Sequence, residues 1–253
     1  GHVEAGLRSN DLSEPFPEEI NRCLISQIAS INFAPTLKAK KNLKSASVSG
    51  QIFLTGNTCV DAIMMISREL PSLDFLGLDW EKMDVILVTV HRRENWGGKI
   101  NDIALGLRKV LDLHLSTVIF LPLHQNPKLR KSLLNLLGDH PRLFFSDPLN
   151  YDCQISAIIN AKLIITDSGG IQEEATILGK PVLVLRNKTE RPESIESGFA
   201  TLVGTDPFKI VEEVTRLLKF NNYPPELSIE SSPFGDGKAS ERILESSLKL
   251  LGL

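Results

Sequence analysis

Two groups of side chains in this sequence are equipped for chemistry. The first opens the chain, with Glu4 and Arg8 in HVEAGLRS followed by Glu18, Glu19 and Arg22 in PFPEEINR. Two carboxylates separated by a loop and held near a sugar ring are what general acid–base work at a carbon or a glycosidic oxygen requires. Taken singly, each reads as a Glu–Arg surface cluster. The second group is spread over four sites: His91 to Asn95, His124 to Asn126, Asp167 to Gly170 and Arg186 to Arg191 each follow a short apolar run. At Ser168-Gly169-Gly170 the glycines let backbone N–H groups approach a ligand, and a helix beginning there favours an anion. Glu174 falls one turn inside that helix, placed to accept hydrogen bonds from sugar hydroxyls rather than to meet phosphate. A diphosphate at Ser168–Gly170 with a ribose at Glu174 describes a nucleotide. The alternative is a tight turn followed by a solvent-facing Gln172-Glu173-Glu174 run. Neither GxGxxG nor GxxxxGK[ST] occurs, which counts against a dinucleotide Rossmann site and a P-loop.

The elements that must position these groups are legible from periodicity. Ile20, Leu24, Ile28 and Ile31 recur at three- and four-residue steps, so a helix is predicted from about Glu18 to Ile31, preceded by Pro15 and Pro17. A strand near Asn32–Ala34, a Lys-rich helix begun by Thr36, a strand at Ile52–Leu54 and a helix opened by Asn57 and Thr58 follow. The stretch around Leu70–Met83 breaks the rhythm and is predicted to be a domain boundary. Beyond it, strands are expected at Val85–Val90, Thr117–Leu121, Leu143–Phe145, Leu163–Thr166 and Val182–Leu185. Helices are expected after each, carrying Ile100 to Leu111, following Pro127, and spanning about Asp152–Ile159, Ile171–Leu178 and Pro207–Leu218. Strands alternating with helices of this size predict an α/β fold with a mostly parallel sheet covered on both faces. In such sheets ligands bind outside the carboxyl ends of the strands, where all four polar sites lie. Before the boundary there are only about two strands and three helices, too few for a doubly wound domain. The chain is therefore expected to lack most of one domain at its N-terminus.

Composition narrows the function classes. The chain has 253 residues, 28 Lys+Arg against 31 Asp+Glu, and a net charge of −3, which offers no electrostatic footprint for nucleic acid. An apolar fraction of 42% belongs to a chain with a sizeable core. No run approaches the length of a membrane helix. Cys23, Cys59 and Cys153 are odd in number and far apart, which argues against a disulfide framework or a CxxC metal knuckle and fits a cytoplasmic protein. No charged and apolar leader follows Gly1, so no signal peptide is expected. No site for a metal or a cofactor is read.

The strings GHVEAGLRS, PFPEEINR, FAPT, TGNTCVDA, TVHRREN, LHQNP, TDSGGIQEEA, LGKPVLVLR, TERPE and PFGDGKAS run in one order along nearly the whole chain. In that order the chain resembles the bacterial, non-hydrolysing UDP-N-acetylglucosamine 2-epimerase family. The resemblance implies a glycosyltransferase-B-like α/β fold, with two Rossmann-like doubly wound domains facing a cleft and the N-terminal one incomplete here. On that reading residues 1–72 are the remainder of the N-terminal domain and 73–235 the UDP-binding domain. Residues 236–253 are a helix crossing back to the first domain.

Carried over position by position, Glu4, Glu18 and His91 match catalytic positions. Ser168, Gly169, Gly170, Glu174 and Arg191 match UDP contacts. Arg92, His124 and Glu18 match contacts to a second UDP-N-acetylglucosamine acting as an activator. Gln154 stands where members commonly carry an aromatic residue near the uracil, and Ser26 where an aspartate is frequent. The implied reaction interconverts UDP-GlcNAc and UDP-ManNAc through loss of UDP, a 2-acetamidoglucal and re-addition, without a cofactor, in a homodimer when full length. Three alternatives are weighed: a hydrolysing epimerase or one acting on a modified UDP-GlcNAc, a UDP-sugar transferase of the same architecture, and an inactive nucleotide-binding fragment.

Overall fold

The computed structural model describes residues 1–219 and 232–253. Residues 220–231, which the expected 73–235 domain spans, lie outside the described residues. The chain divides into two compact units. Unit 1 comprises residues 1–65, 188–193 and, among the described residues, 232–253. Unit 2 comprises residues 66–187 and 194–219.

Unit 1 opens with β1 (His2–Val3), α1 (Glu18–Ile28), β2 (Ile31–Ala34), α2 (Leu37–Ser45), β3 (Gln51–Leu54) and α3 (Thr58–Ile66). Its sheet is parallel in the order β1-β2-β3, with Val3 opposite Phe33 and Phe33 opposite Phe53. The two-residue β1 is absent from the sequence reading, being too short to show a period. Helix α1 stops at Ile28 rather than Ile31, because Ile31 begins β2, all four of whose residues are buried. The apolar spacing that predicts α1 does not mark its inner face in this chain: Leu24 and Ile28 are exposed while Glu19 and Ser26 are buried. Helix α2 starts where Thr36, as N-cap, accepts from the Ala39 N–H at 3.1 Å. Asn57 does the same at the start of α3, accepting from Cys59 N at 3.0 Å.

Unit 2 runs β4 (Asp84–Thr89), α4 (Gly98–Leu113), β5 (Thr117–Pro122), α5 (Pro127–Leu137), β6 (Leu143–Ser146), α6 (Tyr151–Asn160), β7 (Leu163–Thr166) and α7 (Gly169–Ile177). It closes with β8 (Val182–Val184), the short α8 (Pro192–Glu196), β9 (Ala200–Leu202) and α9 (Pro207–Lys219). All its strands are parallel, in the order β6-β5-β4-β7-β8-β9. The chain begins at the centre of this sheet, builds outward to β6, then returns to β7 and builds the other way. The switch point, where such sheets bind ligands, is the seam between β4 and β7. Val85 to Val88 in β4 and Leu163 to Ile165 in β7 are completely buried, as strands covered on both faces must be. Strand β9 and helix α8 escape the sequence reading, since each is one turn or three residues of mixed polarity. Helix α10 (Ala239–Leu251) ends the chain in unit 1, its first N–H groups donating to Asp61 from Ala239 at 3.1 Å and Ser240 at 2.8 Å. Among the described residues no helix is long and apolar enough to cross a membrane.

One glycine in the opening motif is required by geometry. Gly6 has φ +89, and a Cβ built on it would lie 2.2 Å from the Ala39 carbonyl oxygen. Its own carbonyl accepts from Asn42 Nδ2 at 2.9 Å, so α2 is held against the loop after β1. Gly6→Ala therefore combines left-handed strain with a backbone clash. Urea titration should find the variant destabilised by about 2–4 kcal/mol, with the loss confined to unit 1.

Candidate functional site

At the switch point of unit 2, the residues just beyond β4 and β7 meet on one buried carboxylate. Asp167 is completely buried and accepts from four donors. The His91 N–H bridges both of its oxygens at 3.1 Å, Arg92 N–H lies at 2.9 Å, Asn95 Nδ2 at 3.0 Å and His91 Nδ1 at 2.9 Å. Burial alone would push this carboxyl up, but the bonds from His91, Arg92 and Asn95 outweigh it and hold it below the ordinary range. Asn95, itself buried, also donates to the Leu185 carbonyl at 3.2 Å, so the ends of β4, β7 and β8 are tied together. Below them the hydroxyls of Thr89 and Thr166 are 2.6 Å apart, and Ser168 N–H donates to Thr166 Oγ1 at 3.0 Å.

This frame aims a row of polar groups outward. The His91 ring is about one-third exposed and stacks on His124 with centroids 6.1 Å apart at 20°. His124 Nδ1 accepts from Asn126 N–H at 3.1 Å, and Asn126 in turn caps α5. Both rings line a cavity of about 240 Å³ together with Gln125, Leu149 and Gln154. The Gln154 Nε2 donor is buried there without a hydrogen-bond partner. Gln154 therefore meets any ligand in this cavity as a hydrogen-bonding amide and not as a stacking ring.

Across the switch point, Ser168 caps α7, its Oγ accepting from Ile171 N at 3.4 Å, and Gly169 and Gly170 form the first turn. Gln172, Glu173 and Glu174 are all buried, so the solvent-facing run weighed for them is excluded. Burial pushes the Glu174 carboxyl up to about 7, with a hydrogen bond to Tyr151 opposing it. A carboxyl kept dry one turn inside an anion-favouring helix end suits neutral hydroxyl partners better than phosphate.

Unit 1 carries the other expected residues. Glu4 follows β1 at φ +57 and is half-buried, and Glu18, also half-buried, opens α1. Its neighbour Glu19 turns inward, accepting from Ser9 N at 3.0 Å and Asn10 N at 3.1 Å. Arg8 donates to Ser26 Oγ at 3.2 Å, a neutral partner at the position where an aspartate was noted as frequent. Burial, foremost, lowers the pKa of His2, whose Nδ1 lies 3.3 Å from the same hydroxyl. Arg191 is buried with Glu190, which it bonds directly, and Arg22 reaches the same carboxylate at 3.5 Å.

The structure thus gathers His91, Arg92, His124, Ser168, Gly169, Gly170 and Glu174 on unit 2, and Glu4, Glu18 and Arg191 on unit 1. Asp167, Asn95, Glu19 and Glu190 received no role from the sequence. Nothing in a single sequence separates Glu19 from Glu18 beside it. For Asp167 the sequence shows only an acid between a strand and a glycine turn, which does not reveal its donors. Among the described residues no cluster of His, Cys, Asp or Glu could hold a metal ion.

A family model described as UDP-N-acetylglucosamine 2-epimerase matches residues 1–248. The curated UDP-N-acetylglucosamine 2-epimerase of Escherichia coli K12 is 44% identical over 97% of this chain, which spans 68% of that protein. The enzyme of the same name from Bacillus subtilis is 42% identical over 98% of this chain and 65% of its own length. Among solved structures, S. aureus MnaA with UDP superposes with a TM-score of 0.92 at 38% identity, covering 100% of this chain and 68% of that one. Neisseria meningitidis UDP-GlcNAc 2-epimerase bound to UDP-GlcNAc does so at 0.88 and 38% identity, covering 98% and 69%.

The buried Glu174 predicts a pH signature of stability. Its carboxyl titrates near 7 when folded and near 4.5 when unfolded, so the folded state holds the proton longer. Stability from this group is complete below about 4.5 and is lost as pH rises through about 7. Glu174→Gln removes that loss. Urea titrations at pH 5 and pH 8 should find the variant gaining on wild type at the higher pH by up to about 3 kcal/mol. An unchanged difference between the two pH values would place Glu174 in water.

Proposed function

The chain belongs to the UDP-N-acetylglucosamine 2-epimerase family, and from that premise we propose that it catalyses the interconversion of UDP-GlcNAc and UDP-ManNAc as a non-hydrolysing isomerase. The observation that carries the reading is the pairing of Ser168-Gly169-Gly170 at the α7 N-terminus with the dry Glu174 carboxyl one turn on. It supplies N–H groups for a diphosphate and an acceptor for ribose hydroxyls in one rigid element. That element sits at the switch point of a parallel sheet, where nucleotides bind in this architecture.

In this proposal Ser168, Gly169, Gly170, Glu174 and Arg191 hold UDP, and Gln154 meets the base through its amide. His91 faces the diphosphate that departs from C1. The C2 proton is poorly acidic, so a carboxylate must be poised beside it, and Glu4 and Glu18 are the acid–base pair. One removes the C2 proton as the C1–O bond to UDP breaks, leaving 2-acetamidoglucal. UDP then adds back at C1 while a proton is delivered to the opposite face of C2. Helix-end N–H groups and His91 stabilise the charge gathering on the leaving diphosphate. Arg92, His124 and Glu18 are proposed to touch a second UDP-GlcNAc as activator. The enzyme is proposed to work in the cytoplasm as a homodimer. Residues 1–72, 73–235 and 236–253 are proposed as the N-terminal remainder, the UDP-binding domain and the returning helix.

UDP should raise the melting temperature, because a ligand that binds only the native state adds about 2.7 kcal/mol at 100 times its Kd. Ser168→Ala should shrink that shift, and Glu4→Gln should leave it intact, since the latter carboxylate acts on the sugar. A wild type unmoved by millimolar UDP would remove the nucleotide from the reading.

Reaction in D₂O should place deuterium at C2 of the UDP-sugar product, because the abstracted proton exchanges with solvent. Glu18→Gln should cost about 10²–10⁴-fold in kcat with the fold unchanged. Product that keeps its original hydrogen at C2 would overturn the carboxylate mechanism.

A further inference from the structure

We infer that Asp167 is a positioning residue for His91: its buried carboxylate selects the ring form that carries its proton on Nδ1, so that Nε2 is the nitrogen left for the ligand. The inference rests on the proposed role of His91 at the diphosphate, but its first readout is independent of that role.

The argument is one of donors and acceptors. Asp167 Oδ2 accepts from His91 N–H, Arg92 N–H and Asn95 Nδ2, while Oδ1 accepts from His91 N–H and faces His91 Nδ1 at 2.9 Å. A carboxylate that accepts this many bonds has no proton to give, so the contact with the ring holds only if Nδ1 is the donor. A neutral imidazole has one N–H, and here it is spent on Asp167. Nε2 is therefore bare in the neutral ring and becomes a donor only in the imidazolium, whose charge the same carboxylate faces. His91 can hydrogen-bond an oxygen of the departing diphosphate through Nε2 only in that charged form. The arrangement also fixes direction, since the backbone N–H of His91 and its ring grip the same carboxylate and χ rotation would break the ring's bond.

Replacing the acid by its amide inverts this logic with almost no change of shape. Asn at this position must keep its single carbonyl oxygen toward the three donors now on Oδ2, because an NH₂ group cannot accept from them. The NH₂ then faces His91 Nδ1, which must accept, and the ring proton moves to Nε2. The fold loses some stability, but the distinctive effect is on the tautomer. The neutral ring can then donate from Nε2, but it no longer faces a carboxylate that supports the imidazolium, so the departing diphosphate loses positive charge rather than a hydrogen bond.

The chain contains five histidines, so ¹⁵N-histidine labelling gives a resolvable spectrum, with His91→Gln supplying the assignment. In wild type, neutral His91 should show its proton on Nδ1. In Asp167→Asn it should show it on Nε2, with kcat for UDP-GlcNAc down by about 10²–10³-fold, as expected when charge stabilisation of the leaving group is lost, and KM and UDP affinity changed far less. A wild-type ring protonated on Nε2 overturns the inference without any variant, so misfolding of Asp167→Asn does not shelter it. An inverted tautomer with undiminished kcat overturns the positioning role. A wild type that carries the Nδ1 proton yet does not epimerise sinks the proposed activity and leaves the Asp167–His91 relation standing.

Discussion

The bond set around Asp167 is the constraint on which the candidate site depends. At a switch point two parallel strands end side by side and their chains turn away in opposite directions, which leaves N–H groups without ladder partners. Burying such groups unpaired costs about 1–3 kcal/mol each. One carboxylate satisfies the N–H groups of His91 and Arg92, the Asn95 amide and the His91 ring together. A buried charge is tolerated only with this degree of compensation, since desolvation would otherwise neutralise it. Strand ends, the histidine and the serine turn therefore occupy fixed positions before any ligand arrives. Such pre-organisation lowers the cost of ordering the site on binding.

Unit 1 solves a similar problem in a different way. Two of its buried acids, Glu19 and Glu190, work within the unit: one accepts from the backbone of Ser9 and Asn10, the other gathers Arg22 and Arg191. These interactions shape the HVEAGLRS and TERPE segments without themselves being placed to react. Glu4 and Glu18, the carboxylates proposed for acid–base work, are half-buried. Two adjacent glutamates in PFPEEINR thus sit in different surroundings: Glu19 is buried and accepts from backbone N–H groups, while Glu18, the one proposed to act on substrate, is half-buried.

How much of this was legible follows from burial pattern. Strands β4, β5, β7 and β8 are buried almost throughout, so they stand out as mainly apolar runs, and the polar residues after each run mark the ligand edge. Strands β1 and β9 are two and three residues long, too short for any period, and α8 is hidden among Glu and Arg. Helix α1 was found by an apolar stripe that is exposed in this chain, so the right element was inferred from residues that do not hold it. Ser168 and Glu174 were visible because a glycine turn and an acid one turn later have a physical meaning together. Asp167 was not, because its importance lies in donors supplied by residues some seventy positions earlier, brought to it by the pairing of β4 with β7.

The interleaving of the two units bears on the order in which the chain can fold as it leaves the ribosome. Domains generally form amino end first during synthesis. Here Asp11 waits for Lys188, Thr36 for Glu193 across 157 positions, and Asp61 for the start of α10. The described elements of unit 2 are complete once α9 has emerged, while unit 1 still lacks the helix that Asp61 caps. The unit that is made first is the one that finishes last, and until then its newly made strands must be kept from pairing elsewhere.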